Sequence, residues 1–276
     1  MGSMSVRQNK KNDRGDGLAK IMFIGGTEDR EGECLILRRF LTEAGGAAAR
    51  VAVITAATRE GLRVGDDYRR VFHRLGCSSV DVVEINSRED AGRREFSTVL
   101  EDVTGIFLTG GDQVRLTGLL GGTALENALK ERVAAGCVLA GTSAGASALP
   151  ALMIVGGETD MPDRDSIRMA PGFGFVPDIV ADQHFAQRGR INRLLVAGAM
   201  NPRVLGIGID EDTAACLSDG VFEVIGRGTI MVVDAATAGI SNIQELSWGH
   251  PLTVSPVSIH LLSEGFSFSL AERRII

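Results

Sequence analysis

Between residues 20 and 140, five short apolar runs alternate with segments of helical periodicity. This alternation constrains the fold more than any other feature of the chain. The runs are Lys20–Ile24, Arg50–Thr55, Val80–Ile85, Gly105–Thr109 and Cys137–Ala140. Between them, 33–43 carries Leu35, Ile36, Phe40 and Leu41 on one helical face. The stretch 66–75 spaces Tyr68, Val71, Phe72 and Leu75 by three and four. Residues 89–100 read as a further helix. Residues 123–135 read as another, with Thr123 and Glu126 placed for a capping box. Strands this apolar must be shielded on both faces, and crossover helices do that for a parallel sheet. The first half therefore reads as α/β.

The second half reads differently. From Val204 the runs 204–209, 213–217, 221–225, 229–233 and 258–262 are short, alternating and separated by Gly and Asp, as in hairpins or a β-meander. No stretch is rich enough in Pro, Gly or Ser to mark a linker. Residues 20–276 are expected to form a single domain, preceded by a flexible polar arm over 1–19.

Composition removes several classes of function. With 44% apolar and 23% charged residues the chain is neither disordered nor low-complexity. Its longest near-continuous apolar stretch, 148–155, is eight residues and contains Pro150, against the roughly 20 a membrane span needs. Residues 1–20 hold five basic and two acidic side chains and no apolar block, unlike a secretory signal. Cys34, Cys77, Cys137 and Cys216 stand far apart without ligand spacing, so reduced thiols and a cytoplasmic location are expected, with no metal. A net charge of −6 argues against nucleic acid as a partner, although the 25 Arg against 4 Lys warn against overreading any one basic cluster.

The sharpest local feature is Gly141-Thr142-Ser143-Ala144-Gly145-Ala146, directly after the last of the five runs. A G-x-S-x-G on a strand-to-helix turn is a nucleophile elbow. Its nucleophile has a strained backbone, so residues two before and two after must be small. The hydroxyl then projects above the carboxyl ends of the strands, where open α/β sheets bind ligands. Phe107-Leu108-Thr109-Gly110-Gly111-Asp112-Gln113 is a second candidate: a strand ending in Gly-Gly presents amides suited to an oxyanion hole, or simply makes a turn.

A serine nucleophile needs an imidazole to take its proton, and the chain has four histidines. His73 lies in an amphipathic helix; His250 and His260 lie in the β-rich part. His184 ends the apolar strand of Val180-Ala181-Asp182-Gln183-His184 among polar residues and is the candidate base, against a structural histidine. Arg188, Arg190 and Arg193 follow where a helix starts. Cations are disfavoured there unless an anion sits opposite, and a substrate carboxylate would supply one. Finally, Gly206–Thr213 ends a strand in Asp210, Glu211 and Asp212. Any of these acids is placed to orient a histidine, and local pattern does not divide them.

Taken in order, six segments resemble the cyanophycinase and aspartyl-dipeptidase family of serine peptidases over residues 20–225. They are Gly-Gly-Thr-Glu-Asp-Arg at 25–30, Leu-Thr-Gly-Gly-Asp-Gln at 108–113, Gly-Thr-Ser-Ala-Gly-Ala at 141–146, Met-Ala-Pro-Gly-Phe-Gly-Phe at 169–175, Asp-Gln-His-Phe at 182–185 with its arginines, and Gly-Ile-Asp-Glu-Asp-Thr-Ala at 208–214. The resemblance implies a class I glutaminase-like three-layer α/β sandwich with a mostly parallel central sheet and a β-rich C-terminal part. It implies Ser143 as nucleophile, His184 as general base and Glu211 as orienting acid, with Gly111 and Ala144 donating to the oxyanion. Gln113, Asp182, Gln183, Arg188, Arg190 and Arg193 would line the substrate cleft. The implied substrate is cyanophycin, a poly-aspartate bearing arginine on each β-carboxyl. It would be cut from its C-terminal end to β-aspartyl-arginine dipeptides, without cofactor or metal, by a homodimer. A related dipeptidase acting on Asp-X or β-aspartyl peptides is the rival enzyme, and a non-catalytic ligand-binding relative is the rival of another class. Ahead of Met169 the sequence reads Asp165-Ser166-Ile167-Arg168, where a further cleft acid is expected.

Overall fold

A computed structural model describes residues 20–157, 161–164, 166–246 and 249–276. The expected polar arm over 1–19 lies outside these residues, as does Asp165.

Five parallel strands carry the first half: β1 (Ile21–Ile24), β2 (Arg50–Ile54), β3 (Ser79–Val83), β4 (Gly105–Leu108) and β5 (Val138–Thr142). They are followed by β6 (Leu152–Gly156), β7 (Arg168–Pro171), β8 (Ile179–Gln183), β9 (Leu205–Ile209), β10 (Thr213–Ser218), β11 (Val221–Gly226) and β12 (Ile230–Asp234). Short strands β13 (Ile240–Ser241), β14 (Val254–Ser255), β15 (Ser258–Leu262), β16 (Ser267–Ser269) and β17 (Arg274–Ile275) complete the chain. The central sheet runs β17-β16-β11-β10-β1-β5-β4-β2-β3. It is parallel from β1 to β3 and antiparallel from β1 to β17. A second sheet runs β15-β12-β9-β8, and β6 pairs with β7 in a separate hairpin.

Strand periodicity builds two cores from one sheet. Ile21, Phe23, Ala52, Ile54, Ile106, Leu108 and Leu139 face one side; Met22, Ile24, Val51, Val53, Phe107, Val138 and Ala140 face the other. The second side is closed by α1 (Leu35–Glu43) and α2 (Gly61–Arg74). The first side is closed by α3 (Arg88–Gly92), α4 (Arg94–Thr98), α5 (Gln113–Leu120), α6 (Ala124–Ala134) and α7 (Ala144–Ala148), together with one face of the small sheet. The small sheet's other face packs on α8 (Ile191–Met200). This is the expected three-layer α/β sandwich, with a small sheet sharing one outer layer with helices.

Several local readings change. On α1 the buried face is Ile36, Leu37, Phe40 and Leu41, while Leu35 turns out to solvent. Helix α2 begins five residues before the expected start, because Gly65 lets it approach β3. A Cβ at Gly65 would lie 2.3 Å from Val82 Cγ1. The helix expected over 89–100 is two short ones, broken at Arg93, whose backbone is extended. In the Thr123/Glu126 pair the threonine caps the Glu126 amide, but the glutamate returns to Gly122 N–H rather than to Thr123. The β-rich part is not one meander. β10 and β11 form a hairpin that extends the central sheet, whereas β9 and β12 join β8 in the second. Its strands alternate between two sheets because β9 faces both the central core and α8. Leu205, Ile207 and Ile209 enter the former, and Gly206 and Gly208 leave room for Leu194 and Phe185 on the α8 side.

Candidate active site

Each chemistry-bearing segment leaves the carboxyl end of a strand, and the topology gathers those ends. Ser143 follows β5, Gly25–Arg30 follow β1, Gly110-Gly111 follow β4, His184 follows β8 and Glu211 follows β9. β1 lies beside β5 in the central sheet, and its loop meets the end of β8 in the second sheet where His184 N–H donates to Gly25 O.

Ser143 has φ 50° and ψ −112°, a conformation L-residues rarely adopt, and α7 starts immediately after it. The surroundings hold it there, as such strain requires. Its N–H donates to Ile24 O at 2.9 Å, and its carbonyl accepts from Ser147 N–H at 3.0 Å. The flanking glycines are obligatory: a Cβ at Gly141 would lie 2.5 Å from the Gly145 carbonyl, and one at Gly145 would lie 2.4 Å from Leu108 O.

Ser143 Oγ lies 2.9 Å from His184 Nε2, and His184 Nδ1 lies 2.6 Å from Glu211 Oε1. His184 also has positive φ, at 50°, and its N–H donates to Gly25 O at 2.9 Å. The next residue, Phe185, is buried against Gly208 and donates its N–H to Ile209 O. With Nδ1 held by the carboxylate, Nε2 faces the serine hydroxyl as an acceptor.

Geometry also divides the three acids. Glu211 reaches the imidazole. Asp210 instead accepts from Ala186 N–H at 3.0 Å and from the Thr229 amide and hydroxyl at 3.0 and 2.8 Å, fastening the His184 turn to the β11–β12 loop. Asp212 accepts from Asp29 N–H at 2.8 Å. Asp29 in turn caps the amides of Glu31, Gly32 and Cys34, and these bonds hold its carboxyl down at about 2.

The Gly110-Gly111 turn runs beside Ser143, since a Cβ at Gly110 would lie 3.4 Å from Ser143 Cβ. Gly111 has φ 144°, and any side chain there would strike Ala57 O. Ala144 is the first residue of α7, where an amide has no carbonyl to pair with inside its own helix.

The remaining expected cleft residues are distributed unevenly. Gln113 donates its amide to Ile154 O at 2.8 Å, linking α5 to β6. Gln183 is buried and accepts from Ser147 Oγ at 2.8 Å. Asp182 is 1% exposed and approaches Arg190 Nη1 at 3.2 Å and Arg193 Nε at 3.1 Å. The Arg193 approach is off the line of a hydrogen bond, so among the described residues Asp182 Oδ2 and Arg193 Nε have none. Burial works against every charge in this cluster: it pushes the Asp182 carboxyl up and the two guanidinium groups down, against their mutual attraction. Arg188, by contrast, is exposed. Arg168 stacks over Gly156 on the β6–β7 hairpin and is not brought to this group.

The buried cluster carries a stability prediction. Asp182→Ala leaves Arg190 and Arg193 with uncompensated charge and is expected to cost about 3–5 kcal/mol. A denaturant titration measures it; a loss under about 1 kcal/mol would mean that water already solvates both guanidinium groups.

Two participants escaped the sequence reading. Gly26 forms the floor under the imidazole: at φ 97°, a Cβ there would lie 2.5 Å from His184 Cε1 and 2.7 Å from Nε2. Glu28 is a buried carboxylate bonded to Thr142 at the end of β5. Both lie in the Gly-Gly-Thr-Glu-Asp-Arg segment, whose adjacent glycines and acids were the available signal.

A serine, an imidazole and a carboxylate bonded in series at the carboxyl edge of a parallel sheet make the arrangement a serine hydrolase requires. The chain belongs to peptidase family S51, whose sequence profile matches residues 21–225. It is 39% identical over 259 residues to the cyanophycinase of a Nostoc species, covering 93% of this chain and 87% of that protein. It is 40% identical over 250 residues to the cyanophycinase of Geminocystis herdmanii, covering 90% and 92%. A crystal structure of a peptidase from an acI-B1 Actinobacterium shares the fold, with TM-score 0.68 at 22% identity over 92% of this chain and 97% of that one.

Proposed function

We propose that the protein is a serine exopeptidase that hydrolyses cyanophycin from its C-terminal end, releasing β-aspartyl-arginine. The observation that carries this reading is the hydrogen-bonded series Ser143–His184–Glu211 in a chain 39% identical to a cyanophycinase.

In this mechanism His184 Nε2 accepts the Ser143 proton as Oγ attacks the carbonyl of the Asp–Asp α-peptide bond. Glu211 holds the imidazole by Nδ1 and stabilises the imidazolium that forms. The Gly111 and Ala144 amides donate to the developing oxyanion, aided by their position at strand and helix ends. Collapse breaks the C–N bond. The terminal dipeptide leaves as an amine, taking the proton from His184, and the shortened polymer remains as an ester on Ser143. Water, deprotonated by His184, then hydrolyses the ester and restores the serine.

Gln113, Asp182, Gln183 and the three arginines are read as the substrate-binding group. Their placement suggests a division of labour: Arg188 meets substrate carboxylate from the exposed side, while Asp182, Arg190 and Arg193 shape the wall behind it. The protein is further read as a cytoplasmic homodimer without nucleic-acid or membrane partners. Its four unpaired cysteines suit a reducing compartment, and no helix among the described residues is long and apolar enough to cross a membrane.

Mass spectrometry of digests tests the reading. Cyanophycin incubated with the protein is expected to yield β-aspartyl-arginine as the main product, with no internal fragments. Cleavage of Asp-X or β-aspartyl dipeptides with the polymer left intact would instead establish a dipeptidase.

A further inference from the structure

The loop that follows β1 touches every segment of the candidate triad. Ile24 O accepts from Ser143 N–H, Gly25 O from His184 N–H and Gly26 O from Asp212 N–H, each at 2.9 Å. Asp29 N–H returns to Asp212 Oδ1. Between these backbone contacts one side chain turns inward. Glu28 is wholly buried at its carboxylate, and it accepts from three donors: the Thr142 hydroxyl at 2.6 Å, the Tyr68 hydroxyl, and Arg30 Nε at 3.3 Å.

The donors fix its state. Tyr68 is fully buried, and burial, then the Glu28 charge, pushes its phenol well above the ordinary range, so it stays a donor at working pH. The Arg30 guanidinium lies 4.4 Å over the Tyr68 ring and closes the group from solvent. A buried carboxylate is costly unless paired and hydrogen-bonded, and here it has both kinds of support. Its link to the site is Thr142, the last residue of β5, whose successor holds the strained φ of 50°. The backbone up to Thr142 is fixed by β1–β5 pairing, ending at Ile24↔Thr142. Beyond that pair the chain must reverse, and the Glu28–Thr142 bond holds the residue from which it does so.

We propose that Glu28 is a positioning residue for the nucleophile: through the Thr142 hydroxyl it holds the turn that aims Ser143 Oγ at His184. The proposal rests on Ser143 being the nucleophile. Glu28 does not touch the reacting atoms, so its removal acts on the geometry of attack rather than on substrate binding.

Thr142→Val keeps the shape and branching of the side chain and removes only the donated hydrogen bond. It is expected to lower kcat by about 10- to 100-fold, the scale of a sub-ångström to one-ångström misplacement, with KM essentially unchanged. Thr142→Ser keeps the hydroxyl and should restore the rate. Glu28→Gln should fall between them, because an amide keeps one acceptor oxygen and puts an NH2 donor group in place of the other. The second readout is the rate at which a fluorophosphonate labels Ser143, which needs no knowledge of the natural substrate; it should fall with kcat. Leu129→Ala, a core substitution on α6, serves as a control for lost stability and should leave labelling unchanged. Labelling of Thr142→Val at the wild-type rate would overturn the role of Glu28 alone. Absence of labelling in the wild type would overturn the serine mechanism, and this inference with it.

Discussion

Replacing Ser143 with alanine is expected to reduce peptide hydrolysis by about 10⁶-fold, to the floor of most assays, while the melting temperature changes little. The two halves of this result have separate causes. On the proposed mechanism alanine removes the atom that forms the acyl bond, and the proposed oxyanion donors and substrate wall that remain would supply only a small residual acceleration over water. The fold is indifferent because the strain at residue 143 belongs to any residue with a Cβ, and alanine meets the same φ of 50° that serine does. The hydrogen bond from the residue 143 N–H to Ile24 O and the close approach of Gly141 and Gly145 are backbone features the substitution leaves alone. The lost Oγ–Nε2 bond costs little stability, as a net hydrogen bond contributes only about 0.5–1.5 kcal/mol. Product analysis and a thermal melt on the same preparation check both halves. Retained hydrolysis in a folded Ser143→Ala protein would remove the acyl-enzyme.

The parts of the site that were legible from sequence are those that announce themselves by local chemistry. Gly141-x-Ser143-x-Gly145 has a steric reason for both glycines, and His184 stands among polar residues at a strand end. What stayed hidden depends on contacts distant in sequence. Asp210, Glu211 and Asp212 are equivalent as a run of acids. They separate only because β9 ends beside β8, so that one faces Thr229, one the imidazole and one Asp29. The arginines after His184 read as cations at a helix start facing a substrate carboxylate, yet two of them turn inward to Asp182, eight and eleven residues earlier in the chain. The same holds for the fold. The parallel strands are visible because β1, β2 after Arg50, β4 and β5 are apolar on both faces and only the edge strand β3 exposes a charge within its run, Asp81, whereas the C-terminal strands alternate. Alternation tells which residues face inward but not which sheet a strand joins. Glycines are the clearest case. Gly110-Gly111 read as an oxyanion hole or a plain turn and Gly25-Gly26 only as part of a segment resembling the family, and only the packed structure shows that Gly26 underlies the His184 imidazole and that Gly110 flanks Ser143.

That distinction yields a second large effect, at a residue with no functional group. Gly26→Ala is expected to lower kcat by roughly 10²- to 10³-fold by displacing His184. A Cβ at residue 26 would lie 2.5, 2.7 and 3.2 Å from His184 Cε1, Nε2 and Nδ1, directly on the ring between its two working nitrogens. Contacts that short do not survive, so either the loop or the imidazole must yield. The loop is held on both sides, by His184 N–H to Gly25 O and by Asp212 N–H to Gly26 O. Among the described residues the ring is held by two hydrogen bonds, at 2.9 Å to Ser143 and 2.6 Å to Glu211. Moving it by about 1 Å relieves the clash and breaks the alignment on which proton transfer depends. The substitution also forces alanine to φ 97°, which costs about 1–3 kcal/mol on its own. Gly136→Ala separates the two consequences: Gly136 has φ 92°, and a Cβ added there would meet nothing within 4 Å. It should lose comparable stability and keep its rate. If both alanines lower the melting temperature alike and both retain full kcat, the imidazole does not rest on Gly26. If Gly26→Ala alone loses activity at equal stability, the bare backbone of the β1 loop is part of what aims the base.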